Sequence, residues 1–394
     1  MIDRYNTNQE MKGLWSDTYK YKVWAKIEQL VADAWFATNK DFADIEILID
    51  DDIADAVADR ECKTGHEMTA FLGIIGDHYT NIRVDGISPL HYGLTSSDVM
   101  DTALSYTMKQ ASDVIYGLLF NFEQGIRPLI HQHKDTLCVG RTHGQHAIPM
   151  HFADRLDKYR RAIHDLQSFL SGLEYYGKLS GPIGTHNTIS DQIEKEVLDR
   201  LELSRTDAST QIIPRYMYAR VISTLAMIAS QLEKIAVDIR LMSQPEIYEV
   251  TEGSAKKRDG SSSMPHKKNP ISCEKICSLA RMVRSNAGIA MENIVTWFER
   301  DLANSANERI YIADSYILLA HMIETLTKVF SDLDVHTDKM KQNTVSSPDV
   351  LSAVKLDNAI KNGMSREDAY RAVKSGDITI CGQIEDVINK NYFK

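Results

Sequence analysis

Gly260 to Pro270 reads GSSSMPHKKNP. Three hydroxyls and two adjacent lysines share a segment whose glycine and prolines resist regular structure. Hydroxyls of this kind serve as bases, nucleophiles or hydrogen-bond donors, and lysines bring positive charge to an anion. Asn269-Pro270 reads as a helix start, since asparagine is a favoured N-cap and proline suits the first helical position. Exposed N–H groups and the helix dipole favour an anion at such an end. Lys267 and Lys268 are misplaced there unless something negative binds, so the segment reads as an anion site. Lys256, Lys257 and Arg258, just upstream, read as solvated charge.

Three more polar, glycine-bearing islands punctuate the chain: HYGLTSSD at 91–98, GRTHGQH at 140–146 and GPIGTH at 181–186. Loops carried by a rigid scaffold are common places for functional groups. The scaffold reads as helical. The intervals 99–127, 150–181, 215–244 and 271–347 contain no proline and are rich in helix formers. Val221, Leu225, Ile228, Leu232, Ile235, Ile239 and Met242 alternate in steps of four and three, as do Leu104, Met108, Ala111, Ile115, Leu118 and Phe122. Such stripes predict long helices packed at crossing angles of about 20°. Strand alternation is scarce, and Ser365, with a carboxylate three residues on, starts another helix. The expected fold is all-α.

The whole chain narrows the function classes. It has 394 residues, a net charge of −10, 43% hydrophobic and 25% charged residues. That composition permits a full core. The acidic balance argues against a general nucleic-acid binder while leaving room for a local basic pocket. Five cysteines without a CxxC pattern fit free thiols in a reducing compartment. Cys273 and Cys277 share a helix face and read as core rather than metal ligands. His131 and His133 read as surface histidines. The polar N-terminus lacks a signal-peptide core, and no apolar run is long enough to span a bilayer, so the cytoplasm is the default.

GSSSMPHKKNP resembles the GSSxMPxKxN signature of the fumarase/aspartase superfamily. GRTHGQHAIP resembles that superfamily's threonine-histidine segment. HYGLTSSDVMDTAL, Arg4-Tyr5, DASTQ at 207–211 and ERDLANSANER at 299–309 resemble the adenylosuccinate lyase branch. The resemblance is colinear from residue 1 to about 375. It implies a three-part fold: an N-terminal helical domain at 1–95, a central long-helix bundle at 96–345 carrying loop 260–270, and a small, shortened C-terminal helical domain at 346–394. It also implies a homotetramer with active sites shared between subunits, small-molecule purine nucleotide substrates, no cofactor, no metal, and neither nucleic acid nor membrane as partner.

The implied reaction is β-elimination of fumarate, from adenylosuccinate to give AMP and from the succinylated imidazole carboxamide ribotide (SAICAR) to give the free carboxamide (AICAR). A carbanion beside a carboxylate must be stabilised and the leaving nitrogen protonated. By resemblance Ser261 is the base and His143 the acid, the latter a residue type that titrates near neutrality. Ser262 reads as a loop former or donor. Lys267 and Asn269 match positions that bind the dicarboxylate end, and His66 one that contacts substrate or partners the acid. Glu274 matches a carboxylate that orients a catalytic histidine. Arg4, Tyr5, Gly65, His91, Thr95, Ser96, Thr142, Gln211, Arg300, Ser305 and Arg309 match substrate-binding positions. Two further substrate-binding positions depart from the family pattern: Glu67 stands where aspartate is usual, and Lys268 where arginine is common. His146 reads as structural. Two readings stay beside this one: another fumarate-releasing lyase or carboxymuconate cycloisomerase relative, and a catalytically silent helical scaffold.

Overall fold

A computed structural model describes residues 2–36, 47–78, 90–253, 264, 266–346, 348–379 and 383–393. The chain opens with α1 (Gln9–Leu14), α2 (Asp17–Phe36), α3 (Asp51–Thr64) and α4 (Glu67–His78). The long α5 (Ser96–Gln132) leads into a hairpin of β1 (Leu137–Thr142) and β2 (Gln145–His151). Next come α6 (Phe152–Ser171), β3 (Tyr176–Gly177), α7 (Asp191–Leu201), β4 (Ser204–Arg205) and α8 (Arg215–Met242). The remainder is β5 (Val250–Thr251), α9 (Ile271–Glu292), α10 (Ser305–Ser331), β6 (Asp334–Val335), α11 (Thr337–Val345), α12 (Ser352–Lys361), α13 (Arg366–Ser375) and α14 (Ile384–Tyr392). The mostly helical expectation holds. Among the described residues, no helix is long and apolar enough to cross a membrane.

The chain divides into two compact units. One comprises Met1–Leu119, Leu166–Ser230 and Leu279–Ile323; the other comprises Phe120–Asp165, Gln231–Ser278 and Glu324–Lys394. The core of the first includes Tyr21, Trp24 and Ile27 of α2, Met68, Phe71 and Ile75 of α4, and Val197, Leu198 and Leu201 of α7. Trp24 meets Phe71 edge-on at 5.4 Å between ring centroids. In the second unit, Val139, Val350, Leu351 and Ile388 form a smaller cluster.

The stripe from Val221 to Met242 is buried throughout, with no member more than 6% exposed. A 3.6-residue repeat turns these side chains to one side of α8, and a single chain suffices to cover them. Ser365 caps α13, its hydroxyl accepting from the Asp368 N–H at 3.1 Å.

Local signals failed at four places. Pro128 sits inside α5 rather than ending it. The carbonyl that loses a partner belongs to Gln124, which is exposed, so water can take it. The expected helix over 271–347 is interrupted between α9 and α10. There the Asp301 carboxylate accepts from the Trp297 and Ala303 N–H groups at 2.6 and 2.7 Å and stabilises a turn. The island at 140–146 is a strand hairpin rather than a loop. His133 is buried against the Phe152 ring, with Nδ1 3.1 Å from the Thr136 hydroxyl, and burial lowers its pKa. Cys273 and Cys277 are core residues as expected, Cys62 is exposed, and Cys381 lies outside the described residues.

Candidate active site

The β1–β2 hairpin turns through His143 and Gly144, with Thr142 opposite Gln145. Both turn residues have positive φ, 53° and 75°. A two-residue hairpin loop of this hand needs such a conformation at both positions, and glycine supplies one of them without strain. His143 is thereby fixed at an exposed apex, with Thr142 and His146 also exposed. The strand just below the turn is clamped. Arg141 donates to both oxygens of Glu249 at 2.9 and 2.6 Å, and the Asn343 amide adds a bond of 3.0 Å to the same carboxylate. Glu249 is fully buried, so this two-pronged guanidinium is what makes its charge tolerable.

In the same unit, α9 starts at Ile271, one residue later than the sequence reading. The Pro270 carbonyl accepts the first bond, from Glu274 N–H at 3.0 Å. The anion this helix start calls for comes from within the chain. The buried Glu252 carboxylate accepts from the Ser272 and Cys273 N–H groups at 3.3 and 2.8 Å. Those amides are therefore not open to a ligand, which corrects the sequence-based placement of the anion. Lys267, Lys268 and Glu274 are exposed and Asn269 is half-buried. Ser261 and Ser262 lie outside the described residues.

The other unit holds a cavity of about 370 Å³. Glu67, Arg300, Ser305 and Arg309, four of the residues singled out by sequence, line it together. Lys20, Asp101, Arg215 and Glu308 line it as well, and sequence reasoning missed all four. One signal was available. Arg215 opens α8, an end where the dipole disfavours a cation, so acidic partners were to be expected.

Those partners are Asp101 and Glu308. Arg215 donates two bonds to Asp101, at 2.6 and 3.0 Å, and two to Glu308, at 2.9 and 3.0 Å. Burial pushes Glu308 above the usual carboxylate range, against the opposing pull of Arg215. Burial also lowers Arg300, against the pull of the Asp101, Glu308 and Asp301 carboxylates, and its guanidinium donates to the Asn304 side chain at 2.9 Å. Glu67 is buried. One of its oxygens takes Lys20 at 2.6 Å and the Tyr21 hydroxyl at 3.1 Å, and the other takes Arg309 at 3.0 Å.

The remaining positions of this unit do not line the cavity, and each is held by its own local contacts. Gly65 ends α3 in the left-handed region at φ 65°. His66 follows, exposed, its Nδ1 accepting from the Thr69 N–H at 3.3 Å, so the neutral ring carries its proton on Nε2. His91 has φ 60°, and both its N–H and its Nδ1 meet buried Glu28, at 2.6 and 2.8 Å. Thr95 precedes Ser96 at the start of α5 and donates its N–H to Asp98 at 2.8 Å. Asp98 also pairs with buried Lys178 and accepts from Ser180 and Gly181, which ties the islands at 91–98 and 181–186 together. Gln211 donates to the Pro182 carbonyl at 3.2 Å. Tyr5 meets the His321 ring edge-on at 5.4 Å, and Arg4 is exposed. His186, Asp191 and Glu194 have ligand atoms within 4.8 Å of one another, but Arg205 already pairs with both carboxylates.

A family model described as Lyase matches residues 4–285. Adenylosuccinate lyase of Aquifex aeolicus (strain VF5) is 37% identical over 385 residues, 95% of this chain and 87% of that protein. The chain belongs to the adenylosuccinate lyase family. Another relative, adenylosuccinate lyase of Bacillus subtilis (strain 168), is 35% identical over 394 residues, with the same shares covered. Two solved structures show the fold. Fumarate lyase from Mesorhizobium sp. BNC1 superposes with a TM-score of 0.79 at 22% identity, covering 94% of this chain and 86% of its own. The 3-carboxy-cis,cis-muconate lactonizing enzyme from Pseudomonas putida gives 0.80 at 22%, covering 95% and 86%. The fold is therefore that of the fumarate lyases. The family's colinear motifs account for why residues as distant as Glu67 and Arg309 were singled out together.

Proposed function

We propose that the protein is an adenylosuccinate lyase, releasing fumarate from adenylosuccinate to give AMP and from SAICAR to give AICAR, in the cytoplasm. A base takes the proton from the carbon next to a carboxylate, the electron pair left behind forms the C=C bond of fumarate as the C–N bond breaks, and an acid delivers a proton to the departing nitrogen. Ser261 is the base and His143 the acid in this reading. His66 and Glu274 support the acid, and Lys267 and Asn269 hold the dicarboxylate end. One observation carries the reading. Glu67, Arg300, Ser305 and Arg309 are scattered over the sequence, yet they line a single cavity with cations suited to phosphate or carboxylate. The 35–37% identity runs with adenylosuccinate lyases, whereas the muconate-type neighbour is 22% identical, which favours the purine substrate over a lactonising one. The test is direct: purified protein is incubated with adenylosuccinate, SAICAR and argininosuccinate, and fumarate is followed. Fumarate from neither purine substrate overturns the reading.

The assembly belongs to the same proposal: a homotetramer whose sites draw on several subunits, each chain retaining the three segments divided near residues 95 and 345. The α8 stripe is buried within one chain and offers no exposed face to a second copy. Instead Val295, Trp297, Phe298 and Leu302 are 70–91% exposed between α9 and α10, an apolar stretch of the kind that contacts between copies cover. Inactive His143→Asn protein, mixed with inactive Ser261→Ala protein after dissociation and reassembly, is expected to regain activity. A hybrid site then takes its acid from one chain and its serine loop from another. Confirmed hybrids that stay inactive would place both groups in one chain.

A further inference from the structure

Lys20 has no role in the reading above, yet it lines the cavity beside Arg309 and Ser305. Its ammonium lies 4.6 Å from the centre of the Tyr21 ring and 2.6 Å from both Asp17 and Glu67, so it is held from several sides. The two cations on Glu67 use separate oxygens: Lys20 is on Oε1, with the Tyr21 hydroxyl, and Arg309 is on Oε2. They differ in freedom. Arg309 is 52% exposed and reaches Glu67 through one nitrogen of a group with five donors. Glu67 itself is 5% exposed. A buried carboxylate stripped of its counter-ion is strongly unfavourable. If Arg309 were the sole partner of Glu67, an incoming anion would have to compete with Glu67 for it.

We propose that Lys20 is a positioning residue of the anion site: by holding one oxygen of Glu67, it lets Arg309 leave the other and close on an anionic group of the nucleotide. The proposal rests on the nucleotide reading above. It also gives the glutamate at position 67 a use, since its carboxylate reaches both cations at once.

The test is a double-mutant cycle on the full-length protein, reading KM and kcat for adenylosuccinate in wild type, Lys20→Met, Glu67→Gln and the double variant. Lys20→Met is expected to raise KM about tenfold or more with kcat within about threefold, and Lys20→Arg to restore most of the loss. In the Glu67→Gln background the same substitution is expected to change KM by less than about twofold, because no carboxylate remains to trap Arg309. An equal cost in both backgrounds would mean that Lys20 acts on the ligand or on the fold directly, and the proposal falls; an unchanged KM in Lys20→Met overturns it too. Should Lys20→Met not fold, Lys20→Gln, which keeps a neutral donor to Glu67, is read in the same cycle. Wild-type protein that releases no fumarate overturns the functional reading and this inference with it. An active wild type with no coupling between the two positions removes this inference alone.

Discussion

Ser261→Ala is expected to lower kcat for adenylosuccinate by roughly 10²–10⁴-fold or more, with substrate still bound. As the proposed base, the hydroxyl acts on a proton that moves only in the transition state, so its loss is expected in kcat rather than in ground-state binding. A serine is a weak base at neutral pH and serves only if its alkoxide is stabilised. The fold restricts what can do this. Glu252 already accepts from the Ser272 and Cys273 amides at the start of α9, so those donors are spent. In the proposed mechanism the task is assigned to Lys267, which is exposed, and Lys267→Met should share much of the kcat loss. Steady-state fumarate release, paired with calorimetric binding of adenylosuccinate to the variant, separates the two effects. Turnover within about tenfold of wild type would remove Ser261 as the base.

The second large effect is expected at the hairpin apex. His143→Asn should cut kcat by about 10²–10⁴-fold while leaving the melting temperature close to that of wild type. Asparagine is chosen because Asn-Gly is a preferred pair for a two-residue hairpin turn whose central residues both have positive φ. The backbone at 53° and 75° is then undisturbed, and the Arg141–Glu249 clamp still holds the strand just below the turn. What disappears is the imidazole proposed to hand a proton to the leaving nitrogen. Substrates with better leaving groups need that proton less and should be rescued more. Equal losses for good and poor leaving groups, measured on a series of substituted substrates, would assign His143 to binding instead.

The sequence by itself determined the features governed by neighbours within a turn or two. The α8 stripe, the Ser365 cap and the helical class follow from periodicity and capping, which act over three or four residues. The motif islands likewise marked the family before any contact was visible. Short-range rules also misled, at Pro128, where an exposed Gln124 tolerates the lost bond, and at 140–146, where strand pairing overrode a loop-like composition. Tertiary structure alone decided how charges pair. Arg215 meets Asp101 and Glu308 at sequence separations of 114 and 93 residues, and Glu252 reaches α9 from 20 and 21 residues away. Glu67 stands between Lys20 and Arg309 in the same way. Such pairings have no local pattern. A buried charge must find its counter-charge among whichever side chains the packed core brings within about 4 Å, and only the finished fold specifies those neighbours.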